Sequence, residues 1–393
     1  MSDPTPEFLL PDKPLEDRKR DRLNYASFAQ RLAHTISRRI PVDGLVIAIH
    51  GAWGMGKSTM VNFVEHSLMD LPETERPRIV RFNPWWFTGR EDLTLQFFDY
   101  LLRGLDDGKL ETEELRKSLA DFAGLVSKLP VPYLKEAAQF AEGLLEPNRK
   151  DVQKLKADIV SKLSNQDRQM VVMIDDVDRL DKEEIRLLFG VIKGVADFPN
   201  ICYLLAFDRQ VVAQALTDVQ SSNGEEYLAK IVQVPVPLPV PPRTTLDGLL
   251  EDSLLPLFKA TPKELFDKER FQFFYSEGIR YFINTPRDIL RLVNSVALFY
   301  RDMQGEVKCT DYVALKALNV FCPSVYEVVE KNKDMFAFLE EDRLEPGTRV
   351  DELKRFHKTW LDLVPEKDRT RVRRLVSVMF PKLAPVLEAI DIE

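Results

Sequence analysis

Short apolar runs alternate with amphipathic stretches through the first two-thirds of the chain. After a Pro-rich, acidic stretch over 1–16, Leu23, Phe28, Leu32 and Ile36 recur on one face and predict a helix across 21–39. Residues 45–49, Leu-Val-Ile-Ala-Ile, are continuously apolar and predict a strand covered on both faces. A Gly-rich turn follows, then a helix through Val61 and Val64 to about residue 68. Residues 78–87 predict a second strand ending at Pro84, and 91–104 a helix. A charged, helix-prone stretch spans 105–165, with breaks near Gly108, Pro130, Pro132 and Pro147. The strand 170–174, the helix 182–195, the strand 201–207 and a helix after Asp208 continue the series. Strands alternating with helices predict an α/β fold: a parallel sheet with helices on both faces and a helical insertion near 105–165.

The pattern changes at 235–242, which holds five prolines. Such a segment is neither helix nor central strand, and it reads as an extended, stiff connector. Beyond it lie only amphipathic helical patterns, such as 288–301 and 350–364. Three regions are therefore expected: a loose arm over 1–20, an α/β domain over 21–240, and an all-helical lid or effector domain over 241–393.

Composition narrows the classes. The 393 residues are 45% hydrophobic and 30% charged, which excludes disorder as the whole answer. The net charge of −8 disfavours a protein that coats nucleic acid. The three cysteines, Cys202, Cys309 and Cys322, form no disulfide framework and point to a reducing, cytoplasmic compartment. There is no run of 18 apolar residues and no signal-peptide pattern at the start, so no membrane span is predicted.

The chemistry begins at Gly51-Ala52-Trp53-Gly54-Met55-Gly56-Lys57-Ser58-Thr59, which matches G-x-x-x-x-G-K-[ST] between a predicted strand and a predicted helix. Glycines let the backbone curl until its N–H groups face phosphate oxygens, and the following helix aims its positive end at them. Lys57 adds a point charge, and the Ser58 hydroxyl is a magnesium ligand in this pattern. A second signal is the apolar strand that ends in Asp175-Asp176-Val-Asp178-Arg179. Asp175 is placed to hold magnesium, and Asp176 to polarise an attacking water. Asp178 and Arg179 form either a local ion pair or a charge presented to a neighbouring subunit. Asp208, at the end of the next strand, is either a γ-phosphate sensor or a helix N-cap.

These pieces together resemble the KAP family of P-loop NTPases. The resemblance rests on 50–59 (HGAWGMGKST), 82–87 (FNPWWF), 174–180 (IDDVDRL) and 205–209 (LAFDR), with 227–239 and 285–294 also fitting. It covers roughly 20–300 and implies an ATPase related to the STAND and AAA+ groups, with an extra strand between the two phosphate-site motifs and a helical domain after the sheet. Bacterial members are linked to phage exclusion or defence, and animal members act as membrane-linked scaffolds. Many members carry transmembrane helices between the two motifs. Here Lys57 and Asp175 lie 118 positions apart, but 119–145 is broken by charges and prolines and reads as a soluble helical hairpin, with a membrane-surface helix as the alternative.

Other residues keep two readings. Trp85 and Trp86 either pack on the sheet or stack on a base or partner. The 21–25 segment is a helix start or a purine contact. By the resemblance, Arg287 is a sensor arginine for the γ-phosphate; otherwise it is an exposed first-turn arginine. Arg369, Arg371, Arg373 and Arg374 form a solvated helix face or a nucleic-acid patch. The resulting expectation is a magnesium-dependent ATPase that binds ATP and ADP and switches assembly with partner proteins, itself included as a homo-oligomer, in anti-phage defence. A motor or loader on nucleic acid and a non-hydrolysing scaffold are the alternatives.

Overall fold

The computed structural model describes residues 9–39, 44–87, 90–105, 110–126, 146–166, 168–195, 197–217, 223–337 and 346–390. Residues 127–145, the centre of the expected hairpin, lie outside them. The chain divides into two compact units: Pro14–Val240, and Pro241–Glu393 together with the N-terminal stretch up to Lys13.

The first unit is built on β1 (Leu45–His50), β2 (Arg78–Phe82), β3 (Met170–Ile174), β4 (Ile201–Phe207) and β5 (Val234–Pro237). They form one sheet in the order β2-β3-β4-β1-β5, every pairing parallel. The continuous apolar runs serve both faces of the sheet, because side chains alternate across a strand. Val46, Val172, Ile174, Tyr203 and Leu205 enter one core, while Ile47, Ile49, Val171, Met173 and Leu204 enter the other. Helices α1 (Tyr25–Arg39) and α2 (Lys57–Met69) cover the second face with Ala29, Ala33, Phe63 and Val64. Helices α3 (Arg90–Gly104), α4 (Leu110–Val126), α5 (Glu146–Ser164), α6 (Lys182–Val195), α7 (Arg209–Leu216) and α8 (Gly224–Ala229) all contribute to the first.

The proline-rich segment is more than a connector, since its start is strand β5 at the sheet edge, in register with Ile47–His50. An edge strand needs ladder bonds on one side only, so prolines at alternate positions are tolerated there. Bonds from Gln233 N–H to the Val46 carbonyl (3.1 Å) and from Leu238 N–H to the His50 carbonyl (2.8 Å) flank it.

Among its described residues the second unit is built from helices and holds no strand. It comprises α9 (Arg243–Ala260), α10 (Lys268–Glu277), α11 (Pro286–Met303), α12 (Cys309–Phe321), α13 (Pro323–Lys331), α14 (Lys333–Ala337), α15 (Pro346–Asp362), α16 (Glu366–Met379) and α17 (Ala384–Glu388). Thr285 and Asp288 form a reciprocal capping box at the start of α11, with Pro286 in its first turn. Leu292, Val296, Ala314, Leu318 and Leu375 lie in one core.

The described part of the N-terminal stretch is bound, not loose. Leu10 packs on the helical unit, and its N–H and carbonyl pair with the Asn294 carboxamide at 2.7 and 2.8 Å. Asp12 pairs with Arg287 at 2.7 Å. In the first unit Leu15 packs on the α1–α2 core, and its backbone pairs with Thr59 Oγ1 and Asn62 Nδ2, each at 3.1 Å. The two leucines bury apolar surface that a free arm would leave in water. Among the described residues no helix is long and apolar enough to cross a membrane.

Candidate functional site

Strand β1 ends at His50 and turns through Gly51–Gly56 into α2. Gly54 and Gly56 sit at φ 86° and 92°, in the left-handed region that side chains with a Cβ rarely adopt. The backbone therefore curls tightly before Lys57. Met55 is buried and Trp53 is exposed on the loop. The Thr59 hydroxyl is engaged by Leu15 N–H, on the side of the N-terminal segment.

Lys57 is buried with a carboxylate. Its Nζ donates to the Gly51 carbonyl at 3.1 Å and pairs with Asp178 Oδ2 at 3.2 Å, the two side chains being 8% and 7% exposed. This corrects the expected pairing within Asp178-Arg179. The short 3₁₀ turn Val177–Arg179 sends neighbouring side chains apart and brings positions three apart together. Arg179 accordingly pairs with Asp176 at 2.8 Å.

Asp175 follows the last residue of β3, and its carboxylate accepts a hydrogen bond from the Ser58 hydroxyl. The two residues expected to hold magnesium are thus in contact. Burial pushes the Asp175 carboxyl above the ordinary carboxylate range, and the negative Asp176 adds to the shift; the Ser58 bond and the positive Arg81 oppose it. Among the described residues no group of three or more His, Cys, Asp or Glu gathers as a self-sufficient metal cage. One carboxylate beside one hydroxyl is instead the donor set that suits Mg²⁺, which completes its shell with substrate phosphates and water.

Asp176 stands in the left-handed region at φ 59°. Its Oδ2 accepts from Asn83 Nδ2 at 3.0 Å, and its Oδ1 meets Arg179. Asn83, just past β2, was not singled out from sequence. A lone asparagine after a strand carries no chemical signature, and its place inside 82–87 was the only signal. Its Oδ1 also caps Trp85 N–H at 3.0 Å. Trp85 and Trp86 are 52% and 70% exposed, so packing on the sheet is not their role. Phe82 and Phe87 do that packing, with rings stacked 5.7 Å apart.

Asp208 caps α7 by accepting from Gln210 N–H at 3.0 Å. The 21–25 segment starts a helix: Asp21 accepts from Leu23 and Ala26 N–H, and Tyr25 is buried. Arg287 opens α11 in the helical unit, with Asp12 as a partner. Three of the four clustered arginines bond within that unit, and Arg371 stays exposed beside Asp368 of its own helix. Arg369 donates to the Val364 and Asp362 carbonyls, Arg373 to those of Leu387 and Ile390, and Arg374 pairs with Glu277.

A parallel sheet with a glycine loop and buried lysine after one strand, and a carboxylate on the serine of that loop after another, defines a P-loop NTPase. The model of the KAP family P-loop domain matches residues 25–303, and the chain belongs to that family. A phage T7 exclusion protein of Escherichia coli (strain K12) is 24% identical over 351 residues, which covers 81% of this chain. The match takes in 47% of that protein, so the chain spans about half the length of this relative. Among solved structures, Cdc6p from Pyrobaculum aerophilum aligns with a TM-score of 0.44 at 12% identity, covering 97% of this chain and 96% of that one. The Aeropyrum pernix ORC1 protein, solved in complex with DNA, aligns with a TM-score of 0.41 at 14% identity, covering 96% of this chain and 86% of that one.

Proposed function

We propose that this chain binds ATP with Mg²⁺, hydrolyses the β–γ bond, and uses the cycle to switch its assembly with partner proteins in the exclusion of phage. The observation that carries the reading is the convergence of Lys57, Ser58, Asp175 and Asp176 at the carboxyl ends of β1 and β3. The loop amides and Lys57 hold the phosphates and offset the charge that develops on them. Ser58 and Asp175 hold Mg²⁺, which when bound neutralises phosphate charge. Asp176 takes the proton of the attacking water; each of its oxygens has one mapped partner and a lone pair to spare. Arg287 is assigned to sensing the γ-phosphate, so that ATP and ADP favour different states. The phage context comes from the exclusion protein that this chain resembles.

Steady-state phosphate release from the isolated chain tests this. Turnover of ATP that EDTA abolishes and excess Mg²⁺ restores is the expected result. Absence of turnover across buffer and partner conditions would leave a nucleotide-binding scaffold. Strong stimulation by DNA or RNA would move the assignment to a motor or loader. Chromatography with ATP and with ADP would show whether the chain joins copies of itself in one state.

A further inference from the structure

Helix α1 opens on Tyr25, whose side chain is 1% exposed and lies behind the glycine loop. The approach is set locally. Asp21 accepts from Leu23 N–H at 2.9 Å and Ala26 N–H at 2.8 Å, and Asn24 takes the left-handed conformation at φ 59°. The ring then lies so near the loop that a Cβ added to Gly56 would come within 3.2 Å of its Cε2. The phenol donates to the Met55 carbonyl at 2.8 Å and lies 3.2 Å from the Pro239 carbonyl, where the chain leaves β5. Burial raises its pKa above the tyrosine range, with Asp21 adding, so it stays a proton donor.

A buried hydroxyl costs free energy unless it is bonded, and packing alone could be met by phenylalanine. The informative feature is which carbonyl it holds. In a planar trans peptide the C=O and the next N–H point in opposite directions. A Met55 carbonyl held toward Tyr25 therefore fixes the Gly56 N–H pointing away from α1. Backbone N–H groups in this loop are what a phosphate needs. We propose that Tyr25 is a positioning residue for the phosphates: its hydroxyl pre-sets the Met55–Gly56 peptide so that Gly56 N–H is aimed at the nucleotide before it arrives. This rests on the ATP-binding reading above.

Tyr25→Phe keeps the ring against Gly56 and deletes only the hydroxyl. Titration calorimetry of MgATP and MgADP into the full chain should then show affinity for both falling about tenfold, the scale of one buried hydrogen bond lost. KM should rise by a similar factor while kcat stays within about twofold, because phosphate is held alike in the ground and transition states. Leu68→Ala is the control. It removes packing from the same core at the far end of α2, about three helical turns from the loop, so it should lower the thermal midpoint and leave KM unchanged. A Tyr25→Phe protein with a lowered midpoint and wild-type affinities would overturn the inference while leaving the site intact. If the wild-type chain binds neither nucleotide, the site assignment falls and the inference with it.

Discussion

Lys57 and Asp178 are buried together, and that pairing has consequences for how the loop can be probed. Removing one partner of a buried pair leaves the other charge uncompensated, at a cost of about 3–5 kcal/mol. Lys57→Ala should therefore lose ATP affinity by at least ten- to a hundredfold and also lower the melting temperature without nucleotide. The double variant Lys57→Met with Asp178→Leu should regain stability but not binding, which calorimetry beside thermal denaturation will separate. Asp176→Asn is the opposite case. It keeps volume and should bind ATP normally while turnover drops about 10²- to 10⁴-fold, as single-turnover kinetics would show. If turnover is unchanged, Asp178 becomes the base to test. In the helical unit His357 is wholly buried, with its pKa lowered to about 4 by burial, against the Met335 bond. Its Nδ1 accepts from Trp360 Nε1 at 2.9 Å and its Nε2 lies 3.1 Å from the Met335 carbonyl, an arrangement that suits the neutral ring protonated at Nε2. The unfolded chain takes up the proton near pH 6.5 and the folded one only near 4. Stability is thus full above about pH 6.5 and falls between 6.5 and 4 by about 1.4 kcal/mol per unit. Thermal midpoints across that window should show the slope, and His357→Gln should flatten it.

At the scale of elements, close approach is the sharpest constraint. A Cβ at Gly224, the first residue of α8, would lie 1.8 Å from the Ala213 carbonyl oxygen of α7. Backbone cannot swing aside as a side chain can, so Gly224→Ala should cost about 1–3 kcal/mol and lower the melting temperature of the α/β unit, measurable by calorimetry. Such contacts are invisible in a sequence because they join positions by space and not by period. The strands were legible, since buried parallel strands read as short apolar runs, and 45–49, 170–174 and 201–207 all lie in the sheet. The glycine loop was legible because its chemistry needs a fixed spacing. The partner of Asp178 was not, because a three-residue turn decides it, and neighbours in sequence looked the simpler pair. Strand β5 was hidden by its prolines, which forbid a central strand yet are compatible with an edge. Trp85 and Trp86 defeated the rule that large aromatics pack inside, because Phe82 and Phe87 had already filled that place.

For the molecule as a whole, the switch predicts a nucleotide-dependent change of shape. Solution scattering with a non-hydrolysable ATP analogue and with ADP should give different profiles, and Arg287→Ala should shrink that difference while leaving ADP affinity nearly unchanged. Identical wild-type profiles would refute the switch. Asp12 enters here as well, because its pair with Arg287 engages the same guanidinium. The bond between Leu10 and Asn294 joins residues 284 positions apart, and it closes a unit whose remaining chain begins only at Pro241. On a ribosome adding about 5–20 residues per second, Leu10 emerges roughly 15–60 s before its partner helix exists. Through that interval the nascent chain carries an uncovered apolar anchor around Leu10, and its seat is complete only once α11 has been made. Leu10→Ser should therefore register as a late folding defect in the helical unit, far along the chain from the change itself.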